Sequence, residues 1–478
     1  MRIHGTCRGG LVCLLLAGAM LAGCDGQGQW DWWNKKPTPT GPLTQIRLDK
    51  DETWSRTTPH REIHMEGAGS AASPWVYIVP VPLDLQGHTV TIQSDQGMGS
   101  WGEPVAAVVR VQGAITGRGS INIAAQGRHG ASLQIEANGG IDLAYLTGTG
   151  MRDGKGGGLR LSAAGPVTIA GCVQDTGPAG AGDISIRGAS IAIGAANGYS
   201  IFASGPSAKG GRGGNVELVS TGPVQLAGGI AANGNAGPCG QVSISGGQGQ
   251  RCGPVSIGGH VFLSGGNGPR GGLTVMSDAL TVGGGVLGQG AVCPGAYVDI
   301  DCLADVRIRG AVLVDSESMA PGHVRIRGWH IWLEGQDKAG RSVLTATSSA
   351  RGSQVGDGDV LLTGIDSPGS YYDSAAPLTG PTSSVLVAGA IVTGYAGRNV
   401  RGQVDISAVE VQLGGDIQTQ GSAERTIEIH YGTERYGVRT HLVEKRARWN
   451  GRSEHAITYG AAAPVFYSDV PYAGARRR

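Results

Sequence analysis

The chain of 478 residues is poor in aromatic and charged side chains. It contains only three Phe, and Asp, Glu, Lys and Arg together make up 16 % of it, below the usual share of about 25 %. The formal net charge is +1. The composition therefore offers no electrostatic argument for a nucleic acid as partner.

Glycine, in contrast, is abundant, with 86 residues, well above the usual share of about 7 %. The glycines follow no strict three-residue period, which excludes a collagen triple helix. Val, Ile and Leu are frequent and regularly placed, whereas disordered chains lack such residues. The composition thus favours a folded, glycine-rich chain.

The N-terminus carries the most specific motif in the sequence. An apolar run at 11–22 follows two arginines and is too short to span a membrane. It ends in LAGC, which resembles the lipobox of bacterial lipoproteins. The resemblance implies a signal peptide at 1–23 and a mature chain that begins at Cys24, whose acyl chains, palmitate among them, hold the protein on a membrane. The alternative is an ordinary signal peptide with a nearby cysteine.

A lipid anchor predicts a location in the bacterial cell envelope, with the outer membrane or cell surface favoured. Asp25 resembles the inner-membrane retention signal of enteric bacteria, so the inner membrane stays open. Residues 24–42 are rich in Gly, Pro and Thr, which predicts a tether. Residues 43–88 break the repeat described below, and we expect them to cap its first edge.

A short unit of two aliphatic residues separated by one residue recurs every 25 or 26 residues, with insertions in some repeats. The unit begins at Leu133, Leu159, Ile184, Val216, Val242, Leu273, Val298, Val324, Val360 and Val404. Most repeats carry a second unit seven or eight residues later. Alternation with period two places the aliphatic side chains on one face of a short strand. A third, weaker unit often follows, as at Ile201 and Ile230. Three such strands per repeat predict one coil of a parallel β-helix with an aliphatic interior.

The segment GAGDISIRGASIAIGAANGYSIFASGPSAKGGRGGNVELVSTGPVQLAGGIAANG at 180–234 resembles the repeats of filamentous-haemagglutinin-type adhesins. The resemblance covers about residues 130–415 and implies a right-handed helix and an adhesive role. We therefore predict an all-β fold, a single right-handed parallel β-helix at 89–421 with terminal caps. Residues 422–478 hold ten Lys or Arg against six acids, which predicts a basic C-terminal cap and tail, or a docking surface for an acidic partner.

Two consecutive repeats carry charges at their outward positions. The offset of 26 residues predicts that Asp299 lies beside Arg325 and Asp301 beside Arg327. Opposite charges on neighbouring strands stabilise a sheet by about 0.2–1 kcal/mol per pair. We expect these residues to form such a ladder.

An offset of 25 residues likewise predicts that Arg307 lies beside Trp332, a cation–π geometry, and that Arg309 lies beside Glu334. Exposed aromatic rings stack on sugars. Trp329, Trp332 and Arg307 are therefore candidate glycan contacts.

An enzymatic interpretation of the same strands remains open. Polysaccharide lyases and hydrolases of the β-helix type place Asp and Arg on an outward sheet, with two carboxylates as acid and base, or with Ca²⁺. The candidates are Asp299, Asp301, Asp305, His323, Arg325 and Arg327.

Five cysteines follow Cys24 in the mature chain. Cys239–Cys252 and Cys293–Cys302 are close enough in sequence to form disulfides, as an exported location permits, and Cys172 stays unpaired. No CxxC motif is present, so we expect neither a metal nor another cofactor.

These observations favour a lipid-anchored, non-enzymatic β-helical scaffold for adhesion or for contact with a polysaccharide or an envelope protein. Two alternatives remain, a polysaccharide lyase or hydrolase and an accessory component of an envelope secretion or polysaccharide-export system. An enzyme requires acids that no neighbouring base neutralises.

Overall fold

A computed structural model gives an all-β chain whose compact unit begins at Thr44. The described residues are 44–55, 60, 62–68, 70, 73–93, 106–124, 131–149, 156–205, 211–335, 342–349, 358–365, 383–395, 403–408, 410–413, 417–420, 426–431, 439–444, 455–457 and 465–467. The predicted signal peptide, Cys24 and the tether lie outside them. In this described part, no helix is long and apolar enough to cross a membrane.

The strands form a parallel β-solenoid with three faces, called faces 1, 2 and 3. Among the described residues, face 1 has 15 strands, and every neighbouring pair of them is parallel except the first and the last. Its strands are, in order, His64–Glu66, Trp75–Val79, Ala106–Val111, Ser132–Ala137, Leu159–Ala163, Ile184–Gly188, Val216–Ser220, Gln241–Ser245, Gly272–Ser277, Tyr297–Cys302, Val324–Gly328, Val360–Gly364, Gln403–Ser407, Thr426–Tyr431 and Arg439–Glu444.

Face 2 carries the second strand of each coil, usually three or four residues long. Its strands are Ile46–Arg47, Leu83–Asp84, the first parts of Ile115–Ala124 and Ile141–Thr149, Val167–Ile169, Ile191–Ile193, Val224–Leu226, Val255–Ile257, Leu280–Val282, Val306–Ile308, His330–Leu333, Ser384–Val387, Glu410–Leu413 and Val465–Tyr467.

Face 3 carries the third strand of each coil. It begins with Glu52–Trp54, Thr89–Gln93 and the second parts of Ile115–Ala124 and Ile141–Thr149, and these last two strands turn the corner from face 2. Its other strands are Val173–Thr176, Tyr199–Phe202, Gly229–Ala231, Val261–Phe262, Gly265–Asn267, Val286–Leu287, Gly290–Val292, Val312–Leu313, Ser342–Ser348, Ala390–Tyr395, Ile417–Gln420 and His455–Ile457.

Columns of aliphatic side chains fill the interior. Leu159, Ile184 and Val216 stand in register on face 1 and are each at most 1 % exposed. Removal of each such side chain from water stabilises the fold by about 1.5–3 kcal/mol. Two large rings interrupt this pattern near the first coils, where Trp54 and Tyr77 are buried with their ring centroids 5.5 Å apart.

The direction of pairing changes at the ends of the stack. Parallel pairing already begins at Ile46, well before residue 89. After the last parallel strands, each face receives one antiparallel strand from the C-terminal segment. These strands are Arg439–Glu444 on face 1, Val465–Tyr467 on face 2 and His455–Ile457 on face 3. They cover the last parallel edge on all three faces, which would otherwise present unpaired backbone groups.

Candidate functional site

The two charged strands lie next to each other on face 1 in the predicted register. Asp299 is the partner of Arg325, and Asp301 is the partner of Arg327. The residues between them, such as Val298 and Ile300, are fully buried. Because side chains alternate along a strand, the charges project outward.

The carboxylate of Asp301 lies between two guanidinium groups. Arg327 donates to Oδ1 at 3.0 Å, and Arg251 donates to Oδ2 at 2.5 Å. All three side chains are largely buried, with Asp301 24 % exposed. Each oxygen of Asp301 thus accepts a hydrogen bond from an arginine, as in a structural ion pair.

Asp299 differs from its neighbour two residues away. Within the described ranges, no ion pair joins Asp299 to Arg325 although the two are register partners. Arg325 is exposed and Asp299 half-buried. The predicted charge ladder therefore forms at Asp301 but not as a direct ion pair at Asp299.

An aromatic pair flanks these strands at their N-terminal ends. The ring of Tyr297 stacks on His323, with centroids 5.7 Å apart and an interplanar angle of 18°. Arg270 lies 3.2 Å from Nδ1 of His323. Gly272 makes room for the tyrosine, because a Cβ at that position would lie 2.0 Å from Tyr297 Cζ. We refer to Arg270, Tyr297 and His323 as the face 1 ring cluster.

A second ring cluster lies on face 2. Trp332 stacks on His330 with centroids 5.5 Å apart and an angle of 19°, and His330 Nδ1 lies 2.8 Å from Ser384 Oγ. The guanidinium carbon of Arg307 lies 5.9 Å from the Trp332 ring centroid, as the register predicts. We refer to Arg307, His330 and Trp332 as the face 2 ring cluster.

Glu334 does not pair with Arg309 as the offset predicts. Instead, Glu334 Oε1 lies 2.7 Å from Arg307 Nη2, and this contact raises the pKa of Arg307. The strand Val306–Ile308 ends before Arg309, so the register that orients Arg307 is not maintained there.

The two remaining candidate residues, Trp329 and Asp305, are less accessible to a ligand. Trp329 is half-buried, and its indole N–H is buried without a hydrogen-bond acceptor among the described residues. Its polar atom is therefore not available to an outside ligand. Asp305 is half-buried at the end of a turn.

Face 3 carries an outward apolar row that sequence reasoning missed. The row consists of Phe202, Ala231, Phe262, Leu287 and Leu313, which are register partners on successive coils. The ring of Tyr199 contacts both phenylalanines, with centroids 5.4 and 5.9 Å away. Strands of two or three residues are too short to show an alternation, which explains why the row gave no signal.

A buried carboxylate lies on face 3. Asp175 is fully buried, and its Oδ2 accepts a hydrogen bond of 2.7 Å from the Gly158 backbone. Within the described residues Oδ1 has no partner. Burial raises the pKa of Asp175 to about 6, against the opposing effect of backbone hydrogen bonds from Gly158 and Gly182.

All five described cysteines are free thiols, and their arrangement differs from the sequence-based disulfide pairs. Cys239 lies close to Cys293 rather than being bonded to Cys252, and Cys302 contacts Ser277. In a solenoid, the spatial neighbours of a residue are set by coil register as well as by distance along the chain. No group of three or more potential metal ligands occurs among the described residues.

No protein-family model, curated protein or solved structure matches the chain.

Proposed function

We propose that this protein is a non-enzymatic β-helical scaffold of the bacterial cell envelope that binds a polysaccharide on faces 1 and 2. The observation that carries the proposal is the pair of ring clusters, each with two stacked rings and an adjacent arginine. Flat rings provide an apolar platform for a sugar ring, and an arginine binds hydroxyl or carboxylate groups beside it. The resemblance of the repeats to adhesin repeats supports the same role.

The arrangement of carboxylates supports binding over catalysis. An acid–base pair requires two carboxyl groups whose oxygens face the substrate. Asp301 has both oxygens engaged by Arg251 and Arg327, which leaves Asp299 as the open carboxylate of that strand. The outward strands thus favour a rigid contact surface.

The anchor is a separate part of the proposal. The lipobox-like LAGC supports acylation of Cys24, which would place the scaffold on a membrane of the envelope. Growth with radiolabelled palmitate is expected to label the protein, and Cys24→Ala is expected to abolish the label. Label that persists in the variant would contradict acylation at this residue.

Binding is tested with the full-length protein and a panel of acidic and neutral polysaccharides, with two readouts, retention of the protein and shortening of the chains. We expect retention without shortening. Trp332→Ala is expected to weaken binding about tenfold, which corresponds to about 1.4 kcal/mol. Phe262→Ala, an outward ring on face 3, is the matched control and leaves retention unchanged.

Two other outcomes would replace the proposal. Shortening that disappears in Asp299→Ala or Arg325→Ala protein would indicate a polysaccharide lyase or hydrolase. If the protein is not retained and the chains are not shortened, the result would favour an accessory role with a protein partner in secretion or polysaccharide export.

A further inference from the structure

Two cysteines that are 54 positions apart in the sequence meet beside one glycine. An ideal Cβ at Gly265 would lie 2.8 Å from Cys239 Sγ and 3.1 Å from Cys293 Sγ. The two distances together limit the separation of the sulphur atoms to 5.9 Å. Cys293 is fully buried, and Cys239 is 8 % exposed. The absent side chain of Gly265 thus creates the space in which both thiols lie.

Two more glycines border the same space. A Cβ at Gly271 would lie 3.0 Å from Cys239 Sγ, and a Cβ at Gly290 would lie 2.9 Å from Cys293 Sγ. Any side chain at these positions would push against a sulphur atom. Three glycines therefore surround the pair, and the chain keeps this part of the interior open for the thiols.

The other two buried cysteines of this region provide an internal comparison. Ser277 is the register partner of Cys252 on the preceding coil and of Cys302 on the following coil. Ser277 is fully buried, and its Oγ lies 3.3 Å from Cys302 Sγ. The side chain of Ser277 thus lies between Cys252 and Cys302. Between Cys239 and Cys293, the corresponding residue is Gly265, which has no side chain. Burial raises the pKa of Cys252 to about 11 and that of Cys302 to about 12, so both are poor nucleophiles.

We propose that Cys239 and Cys293 form a disulfide that joins two coils of the solenoid across Gly265. The oxidant is a small disulfide or a protein disulfide of the same chemical class. Each thiol loses one proton, and the pair loses two electrons. The oxidant takes up the two electrons as its own S–S bond breaks, and with the two protons it becomes two thiols. The new bond is the Cys239–Cys293 S–S bond, and no other bond of the chain changes.

The surroundings of the two thiols favour one order of events. A hydrogen bond from Cys293 lowers the pKa of Cys239, whereas the same contact and burial raise the pKa of Cys293. The thiolate is the reactive form in thiol–disulfide exchange, and Cys239 is also the more exposed of the two. Cys239 therefore attacks the oxidant first and forms a mixed disulfide. Cys293 then attacks the Cys239 sulphur and releases the second thiol of the oxidant.

The test uses the reduced full-length chain incubated with oxidised glutathione, followed by alkylation and digestion. Cleavage after Lys and Arg combined with cleavage before Asp separates the four cysteines into different peptides. Cys239 then lies in 213–251, Cys252 in 252–270, Cys293 in 278–298 and Cys302 in 301–304. We expect a linked pair of 213–251 with 278–298, two hydrogens lighter than the sum of the two peptides. Alkylation of both cysteines after oxidation, or a link from Cys239 to Cys252, would overturn the proposal.

A double variant and a stability measurement show which pair of cysteines is oxidised. Cys252→Ser combined with Cys302→Ser keeps the proposed pair and is expected to retain the link. Oxidation should raise its Tm by about 5 °C, as expected when a crosslink closes a long loop. Cys239→Ser and Cys293→Ser proteins should show no oxidation-dependent shift. A shift of equal size in either single variant would show that another pair is responsible.

Discussion

Arg327 donates a hydrogen bond of 3.0 Å to Asp301, its register partner on the preceding coil, while Arg251 occupies the second oxygen of the same carboxylate. The contact joins an outward ladder position to a loop, since Arg251 lies outside any strand. Asp301 is therefore expected to stabilise the packing of that loop on face 1.

Asp301→Ala removes the acceptor that both arginines share. We expect the free energy of unfolding to fall by about 1–3 kcal/mol, because a partly buried charge-assisted contact is lost. Asp299→Ala on the same strand lacks such an ion pair and should change stability by less than about 0.5 kcal/mol. Midpoints of urea unfolding measure both. Equal midpoints for the two variants would contradict a structural role for the shared carboxylate.

The buried Asp175 predicts a pH dependence of stability. Its pKa in the folded protein, about 6, lies above the ordinary value near 3.9, so the fold favours the protonated form. The contribution of Asp175 to the free energy of unfolding has its full value below pH ~4. It falls as the pH rises to ~6 and is constant above that, with a total decrease of about 3 kcal/mol. The side chain in Asp175→Asn is neutral at both pH values. The free energy of unfolding of the variant minus that of the wild type should therefore be larger at pH 7 than at pH 4. Urea unfolding at both pH values gives this difference, and a constant difference would exclude the raised pKa.

Adjacent residues of one strand should respond differently to truncation. Ile300 is fully buried in the interior column, so Ile300→Ala should leave a cavity and cost about 2–5 kcal/mol. Its neighbour Asp299 points outward and should tolerate the same change. Thermal unfolding of both variants measures the contrast. A similar loss of Tm for the two would mean that the strand does not alternate between interior and solvent as described.

Gly272 controls the position of the Tyr297 ring. Gly272→Ala would place a methyl group 2.0 Å from Tyr297 Cζ, and the flexible ring must move away. We expect His323 to lose the ring-current shift that the stacked tyrosine produces, as seen by NMR with His323→Gln protein for assignment. Thr274→Ala, on the same strand, is the control. An unchanged His323 resonance in Gly272→Ala protein would show that the stack does not depend on the glycine.

The sequence predicts those parts of the fold that follow from regular spacing. Val298 and Val324 are one uninterrupted repeat apart, so the partners of Asp299 and Asp301 follow from counting. Arg251 was missed because it lies in a loop inserted into a longer repeat, where counting gives no register. The closeness of Cys239 and Cys293 was missed for a related reason. Their meeting depends on how two turns fold over Gly265, and neither turn contributes to the aliphatic period.

The reversal of strand direction at the C-terminal end sets the length of the stack. A parallel coil presents the same backbone pattern above and below, so an uncovered last coil would accept an equivalent coil from a second molecule as readily as one from its own chain. The three antiparallel strands at 439–467 occupy that acceptor edge with a chain running the other way. They thereby limit the molecule to a defined size and prevent the end-to-end stacking that would produce a fibre.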